Sequence, residues 1–594
     1  MVDADLPEPG AIRRRGIGLD LMVAVALAVI LSASWAINDW ARLGHMLLPD
    51  TDDMVRLAQV RDWLGGQGIN DWTQYRMAPP AGAPMHWSRV NDVGIAALIL
   101  IARPLAGQAH AELFAVLAYP ALLFAIALFL SARIGRHLWG SEAGPIAAVL
   151  TALAYPGTTV FAPGRIDHHA LQVVLIQLIV LALMHAARVR EGVVAGLATG
   201  LSLIVGLETA PQIVVLIAIL AGFWVVRGDV ERARLAGFAG TLALVTVVFL
   251  LFLRPTLWTS AYCDAFTPAS STGTLLVAAA LGLLAALSPR LGSWRLRLAA
   301  GALLGAIALA ATVIAYPNCI NGPYGAVDPF LRRAFIPFID EANGLFWHWR
   351  IERILSVGGV VVMACVTSLW AMARGRTDRV ALLPVAAVVG VSALIMLSQV
   401  RGAYIGAPLA APILAGLVMA ARQRVRWQLP VVILAWLASA GMAWAGAGQQ
   451  LQRVATPGAP AASAPTPPAA CSVGDSWTQV DRLKPGVTMA SNTLAAYIVG
   501  ATHLSTVGAG YHRNNDGNMA MYRFFLSPPE RARAIADQWK VDYVAFCPGD
   551  FGEIDVTRAY PASLAVGLQQ GRAPSWLAPV PLAGTPLRFY RLVR

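Results

Sequence analysis

"GRIDHHALQ", residues 164–172, sets one carboxylate and two imidazoles at the head of an apolar run that continues to about residue 187. Asp167, His168 and His169 are costly neighbours for hydrocarbon, where polar and ionisable groups lose their hydration. Their purpose depends on which side of a membrane they face and on which other acidic groups face the same way.

The rest of the chain calls for a membrane. Of 594 residues, 57% are hydrophobic and only 13% charged. A soluble chain of this length would divide into several domains with charged surfaces. Instead, apolar runs of about twenty residues, enough to cross a hydrocarbon core of about 30 Å, recur up to residue 446. The formal net charge of +12 is not spread as a nucleic-acid surface would be. It sits in short clusters: Arg13–Arg15, Arg133 with Arg136, Arg188 with Arg190, Arg227 to Arg234, Arg290 to Arg297, Arg374 to Arg379 and Arg422 to Arg426. Such loops are retained in the cytoplasm, so the charge sets topology and nucleic acid is excluded as a partner.

Alternation between these clusters predicts thirteen spans, near 18–38, 111–134, 144–160, 168–187, 192–206, 209–226, 235–253, 274–287, 296–316, 353–374, 379–396, 403–421 and 428–446. A cytoplasmic tail, 1–17, precedes a transmembrane domain, 18–448. The apolar stretch 93–106 would break the parity and is read as an interfacial or re-entrant helix. A first outer loop, 39–110, and a flexible outer loop, 317–352, then lie outside, as do Asp167, Glu208 and Arg401. The expected setting is a bacterial inner membrane with a periplasmic working face. Cysteine usage agrees: Cys263, Cys319, Cys471 and Cys547 fall outside, and pairs Cys263–Cys319 and Cys471–Cys547 are expected in that oxidising compartment.

A Pro/Ala-rich linker, 449–470, which cannot pack a core, separates the spans from a periplasmic α/β domain, 471–594. "GVTMASN" and "VDYVAFC" read as buried strands, and "SPPERARAIADQW" as a helix with a Ser527–Glu530 capping box. "YHRNNDGN", residues 511–518, is a polar loop facing the membrane domain or a ligand, with His512 and Arg513 as candidate contacts. The fold class is therefore a polytopic α-helical membrane protein with a C-terminal soluble α/β domain.

Three acidic points share the working face. "LLPDTDDMVRL" places Asp50, Asp52 and Asp53 at one helix start, more carboxylates than a cap requires. They repel one another unless a cation neutralises them, which favours a hard divalent metal, Mg²⁺ or Mn²⁺, on oxygen ligands. Asp167 and His169 form the second point, and Asp340 with Glu341 in "FIDEANG" the third. No HExxH or paired CxxC spacing suggests zinc.

Laid out this way, the chain resembles the GT-C superfamily of membrane glycosyltransferases, and within it the catalytic subunits of oligosaccharyltransferases. The first-loop aspartate followed six residues later by arginine is matched by Asp50 and Arg56, and the Asp-x-His motif by Asp167 and His169. "FIDE", ending in Glu341, is a loose match to the motif closing the flexible loop, and Arg401 in "VRGAY" to the arginine that meets donor phosphate. The acceptor-reading Trp-Trp-Asp-Tyr-Gly motif is missing from the tail. The resemblance implies transfer of a sugar or oligosaccharide from a polyprenyl (pyro)phosphate to a periplasmic acceptor: protein, lipid or glycan.

In that reading Asp50, Asp52, Asp167 and Glu341 are catalytic, and Asp50, Asp167, His169 and Glu341 hold the metal. Arg401, Arg76 and Arg89 meet donor phosphate, and Asp53, His168, His86, Glu208 and Tyr404 are further candidates. Trp72 and Trp87 are candidates for stacking on sugar. Rival classes are a lipid-linked sugar flippase, which would place ionisable residues at mid-membrane in repeated halves, a metal-free glycan polymerase or ligase, and a non-catalytic scaffold.

Overall fold

The computed structural model describes residues 16–260, 262–423, 428–456, 471, 475–551 and 554–594. Arg13–Arg15, Arg424, Arg426 and most of the Pro/Ala-rich linker lie outside the described residues. Except that 144–160 holds the ten-residue Ala143–Ala152 and a short 3-10 turn, Gly157–Phe161, the expected spans fall on helix, beginning with Ile17–Asn38 and ending with the pair Gln428–Ser439 and Gly441–Ala455. Eight described helical stretches are long and apolar enough to cross a membrane, or nine if that last pair, bent by 82°, counts as one. This is fewer than the thirteen crossings expected from the sequence; Ala143–Ala152 and His169–Met184 are apolar but shorter.

The stretch 93–106 is helical from Val90 and is set apart from the helix that follows by a break at Gly107, where φ is 74° and ψ 169°, so Val90–Trp139 is two helices meeting at that residue. The last helix continues to Ala455, so 449–455 is helical rather than linker.

Close helix approach in the bundle depends on small residues. Gly192 and Gly196, one turn apart on Val189–Val205, lie against the backbone of Arg232–Phe252. A Cβ there would come within 2.1 Å of the Arg234 carbonyl oxygen and 2.5 Å of the Phe238 carbonyl oxygen respectively. Such small-residue seams let two apolar helices associate where lipid offers no hydrophobic incentive.

The C-terminal unit is a mixed five-stranded sheet. With β1 (Thr73–Gln74) and β2 (Ala83–Pro84) forming a small ribbon in the first loop, its strands are β3 (Val487–Met489), β4 (Ser505–Thr506), β5 (Tyr543–Phe546), β6 (Leu577–Val580) and β7 (Arg588–Leu592). They are ordered β4-β3-β5-β7-β6, with β3 parallel to β4 and β5 and the rest antiparallel. "GVTMASN" and "VDYVAFC" supply β3 and β5. The helix Pro529–Gln538 forms, but Pro528 is its N-cap and makes no side-chain cap, so the Ser527–Glu530 box is not used.

Three seams dock this unit on the membrane domain. Helix Asn492–Ala501 lies along Thr51–Leu64, with Arg61 Nη1 donating to the Gly500 carbonyl at 2.6 Å and Tyr497 Oη to that of Leu48 at 3.2 Å. β4 extends through Thr506, whose amide donates to the Arg76 carbonyl at 2.7 Å and whose carbonyl accepts from the Ala78 amide at 2.8 Å. The segment 317–352 is built of short helices, and Val327, Leu331 and Phe335 share a core with Phe524, Phe525 and Phe546. Disulfides join Cys263 to Cys319 and Cys471 to Cys547.

Gly196→Leu should drive the paired helices apart and cost about 2–4 kcal/mol in thermal unfolding in detergent. Gly240→Leu, on the facing helix with nothing within 4 Å of its Cβ position, should leave the midpoint within about one degree of wild type if the seam is the cause.

Candidate functional site

A cavity of about 700 Å³ lies where the membrane helices meet the sheet domain. Asp50, Asp52, Asp167, His168, His169, Glu208, Glu341, Arg401 and Tyr404 line it, together with His86 and His512. The three acidic points of the sequence thus meet in one space.

Local structure explains how each arrives. Asp50 is the N-cap of Thr51–Leu64 and accepts from the Asp52 amide at 3.2 Å. The twist of the helix from one residue to the next then separates the acids: Asp52 faces the cavity, while buried Asp53 turns back to accept from the Ile166 and Asp167 amides at 2.8 and 2.9 Å. That pair of bonds ties the first loop to the "GRIDHH" turn. Gly164 makes the turn possible, because it sits at φ +85° and a Cβ would come within 2.8 Å of Pro49. Asp167 accepts from the His169 amide at 3.0 Å, closing the entry to helix His169–Met184.

Arg165 is the cation the acids surround. Its guanidinium reaches Asp50 at 2.5 Å and Asp167 at 2.6 Å, and its Nε stands 3.4 Å from Asp53. Burial alone would raise the Asp167 carboxyl, but Arg165 and then the two imidazoles hold it well below the usual range. Asp52 has no such partner. Burial, then the charges of Asp50, Glu341 and Asp167, push its carboxyl up to about 7, although Tyr511 Oη donates to it at 3.0 Å.

Behind the cavity wall, Arg56 is fully buried, paired with Asp92 at 2.8 Å and stacked 4.5 Å over Trp87. Its Nη2 donates to His168 Nδ1 at 3.3 Å, which leaves Nε2 of that ring toward Glu208, also at 3.3 Å. Across the cavity, the Arg401 amide donates to the Glu341 carbonyl and its Nη2 to Tyr324 Oη, both at 3.2 Å. Glu341 and Arg401 are therefore clipped together, and Glu341 Oε2 stands 4.0 Å from His169 Nε2.

The remaining candidates separate cleanly. Arg76 and Arg89 do not reach the cavity: Arg76 donates to the Thr502 carbonyl at 2.7 Å, and buried Arg89 binds the Gln59 carbonyl at 2.7 Å and Asp71 at 3.0 Å. Backbone carbonyls consume the donors that a phosphate would need. Trp72 packs on Phe249 away from the site, and Trp87 is buried behind the lining, edge-on to Tyr511. Arg513 stands behind the lining, bound to Asp264. Arg165, Asp264 and Tyr324 line the cavity without having been singled out; only the composition of "GRIDHH" itself, with an arginine two residues before the aspartate, hinted at the first.

The donor chemistry suits a hard divalent cation, since Asp52 crowds against Asp50, Asp167 and Glu341. Among the described residues, however, no three His, Cys, Asp or Glu side chains stand close enough together to hold a metal ion as placed.

Sequence comparison matches no family model and no curated protein. Structural comparison finds the Archaeoglobus fulgidus oligosaccharyltransferase in its apo form, at TM-score 0.65 and 13% identity, over 96% of this chain and 73% of that one. AglB from Archaeoglobus fulgidus in complex with an inhibitory peptide and a dolichol-phosphate gives 0.63 and 14%, over 98% and 75%. The complex of the Archaeoglobus fulgidus enzyme with Zn and sulfate gives 0.57 and 14%, over 89% and 67%. At these identities what is shared is the fold, and the chain's fold is GT-C-like.

Arg165→Met would leave Asp53 and Asp167 buried without their counter-ion, and thermal unfolding should register a loss of about 3 kcal/mol. A variant as stable as wild type would mean that the carboxylates are neutralised by something else.

Proposed function

We propose that this protein is a membrane glycosyltransferase that moves a sugar or oligosaccharide from a polyprenyl (pyro)phosphate to an acceptor at the periplasmic face of a bacterial inner membrane. The observation that carries the reading is the single cavity that sets Asp50, Asp52, Asp167 and Glu341 opposite Arg401, at the ends of apolar helices and beneath the sheet domain. The fold likeness is in keeping with it, and one of those neighbours holds a dolichol-phosphate. The two disulfides suit an oxidising compartment, and the arginine clusters suit a cytoplasmic opposite face.

In this reading the donor phosphate meets Arg401, whose guanidinium balances the charge that grows on the leaving phosphate as the glycosidic bond breaks. Its backbone link to Glu341 fixes where that phosphate lies relative to the acids. Asp50, Asp167, His169 and Glu341 would hold Mg²⁺ or Mn²⁺, which when bound supplies further positive charge at the phosphate. Arg165 keeps Asp50 and Asp167 ionised and oriented. Asp53, on the two amides of the "GRIDHH" turn, positions that whole edge. Burial of Arg56 and Asp92 behind the wall keeps His168 and its polar neighbours fixed, so they need not reorganise during reaction. A flippase is less well served, because these groups gather at one end of the bundle rather than at its middle.

The test is donor turnover by the purified full chain with polyprenyl phosphate- and pyrophosphate-linked sugars. Asp50→Ala, Asp167→Ala and Glu341→Ala should each lose about 100-fold or more, the scale for removing one preorganised electrostatic group. Chelation with EDTA should produce a comparable loss that Mn²⁺ restores. Unchanged turnover in all three variants would return the protein to the scaffold or flippase classes.

A further inference from the structure

We infer that His512, aimed by Asp264, is the general base that accepts the proton of a sugar hydroxyl, so that the acceptor of this transferase is a carbohydrate. The inference rests on the function proposed above and specifies its second substrate.

The geometry begins with Asp264. It sits beside Cys263, whose disulfide fastens this loop to the segment after 317. Arg513 grips both oxygens of the carboxylate, at 2.9 Å from Nε and 2.6 Å from Nη2, so its plane is fixed. Burial alone would raise this carboxyl, but the His512 bond and then Arg513 hold it well below its ordinary range. It is therefore an acceptor only. His512 Nε2 approaches Asp264 Oδ2 at 2.5 Å, so Nε2 must carry the hydrogen. A neutral ring in that tautomer carries its lone pair on Nδ1, and among the described residues no protein group donates to that atom. The ring lines the cavity. A carboxylate orienting one imidazole nitrogen so that the other can take a proton is the standard arrangement for general-base work.

The surroundings specify what the proton comes from. Around His512 the lining is mostly aromatic, amide and hydroxyl groups, and the Asp264 carboxylate there is taken up by His512 and Arg513. Tyr324 stands edge-on to His512 with ring centroids 5.2 Å apart, and His86 at 5.3 Å. Burial holds the His86 imidazole well below its usual range. Asn492 and Thr493 complete the wall, and the Asn492 side-chain oxygen is buried without a hydrogen-bond partner. Aromatic edges and neutral donors and acceptors are what a hydroxyl-rich ring requires. An unsatisfied buried acceptor is costly until a ligand O–H fills it. Tyr511 joins the two ends, because its hydroxyl is on Asp52 and the next residue is the base.

The chemistry separates a hydroxyl from an amide. An amide nitrogen has its lone pair delocalised, and one imidazole does not free it. A hydroxyl oxygen has its lone pair available and needs only its proton removed as the new bond forms. In the step, the acceptor oxygen bonds to the anomeric carbon, and the bond from that carbon to the phosphate oxygen breaks with its electron pair going to the phosphate. The hydroxyl proton passes to His512 Nδ1, and Asp264 stabilises the resulting imidazolium.

The experiment uses the full chain in lipid nanodiscs with a panel of undecaprenyl phosphate- and pyrophosphate-linked hexoses. Oligosaccharides, an asparagine-containing peptide and a serine-containing peptide are offered as acceptors. Product should form on an oligosaccharide, and His512→Asn should lower kcat by about 100-fold or more with the donor KM within about twofold. A thiol analogue of the accepted sugar, whose S–H ionises without help, should restore most of the lost rate. Asp264→Asn should show the same loss and the same rescue, which keeps the test available if His512→Asn does not fold. An undiminished kcat, or a loss that the thiol does not relieve, overturns the base. Product on either peptide in preference to the oligosaccharides overturns the acceptor class. Failure of the wild type to consume any donor instead sinks the transferase reading itself.

Discussion

Everything at the domain face hangs on one buried guanidinium. Arg165 holds an oxygen of Asp50 and an oxygen of Asp167, with Asp53 just behind. These carboxylates come from two segments more than a hundred residues apart. Without a shared cation, their repulsion in a low-dielectric wall would splay the first loop from the "GRIDHH" turn. With it, the second oxygens of Asp50 and Asp167 keep a defined place in the cavity. The Asp53 bonds to two consecutive amides make the same junction directional.

The remaining walls are attached both to that junction, through Tyr511 on Asp52, and to one another, through Asp264 on His512 and Tyr324 on Arg401. Arg401 and Glu341 are linked through backbone and arrive from the late helices and the long loop. Asp264 arrives on a loop held by a disulfide, and Tyr511 with His512 from the sheet domain. Four independent segments therefore contribute to one space, each through a contact that is polar, buried and geometrically narrow. Such an assembly is expensive in stability if any member is unpaired, and it yields fixed charges where a leaving group and a nucleophile must be held at once.

Much of this was legible in the sequence, because it depended on patterns that survive in one dimension. Apolar runs placed the helices, arginine clusters alternated with them, and three short acidic stretches fell in the same set of loops. Asp167 and His169 announced themselves by chemistry that hydrocarbon excludes. What was not legible depended on chain reversals and on the fate of individual donors. Arg165 reads as a loop arginine until the turn at Gly164 points it at Asp50. Arg76 and Arg89 look free, but nearby carbonyls take their donors. Asp264 stands alone in sequence, and its partners lie some 250 residues later, in a loop whose polar character was visible but whose target was not. The stretch 93–106 was set apart from the span after it by parity alone, and the break that does this in the fold is the backbone of Gly107, which hydropathy does not report.

The central claim is that the acids and Arg401 form one binding site for a lipid phosphate and a divalent ion. A structure of the full chain with undecaprenyl phosphate and Mn²⁺, with the metal located by its anomalous scattering, addresses it most directly. The account predicts Mn²⁺ among Asp50, Asp167, His169 and Glu341, and the phosphate against Arg401. Phosphate bound at the opposite end of the helices, or Mn²⁺ bound away from Asp167, would contradict it.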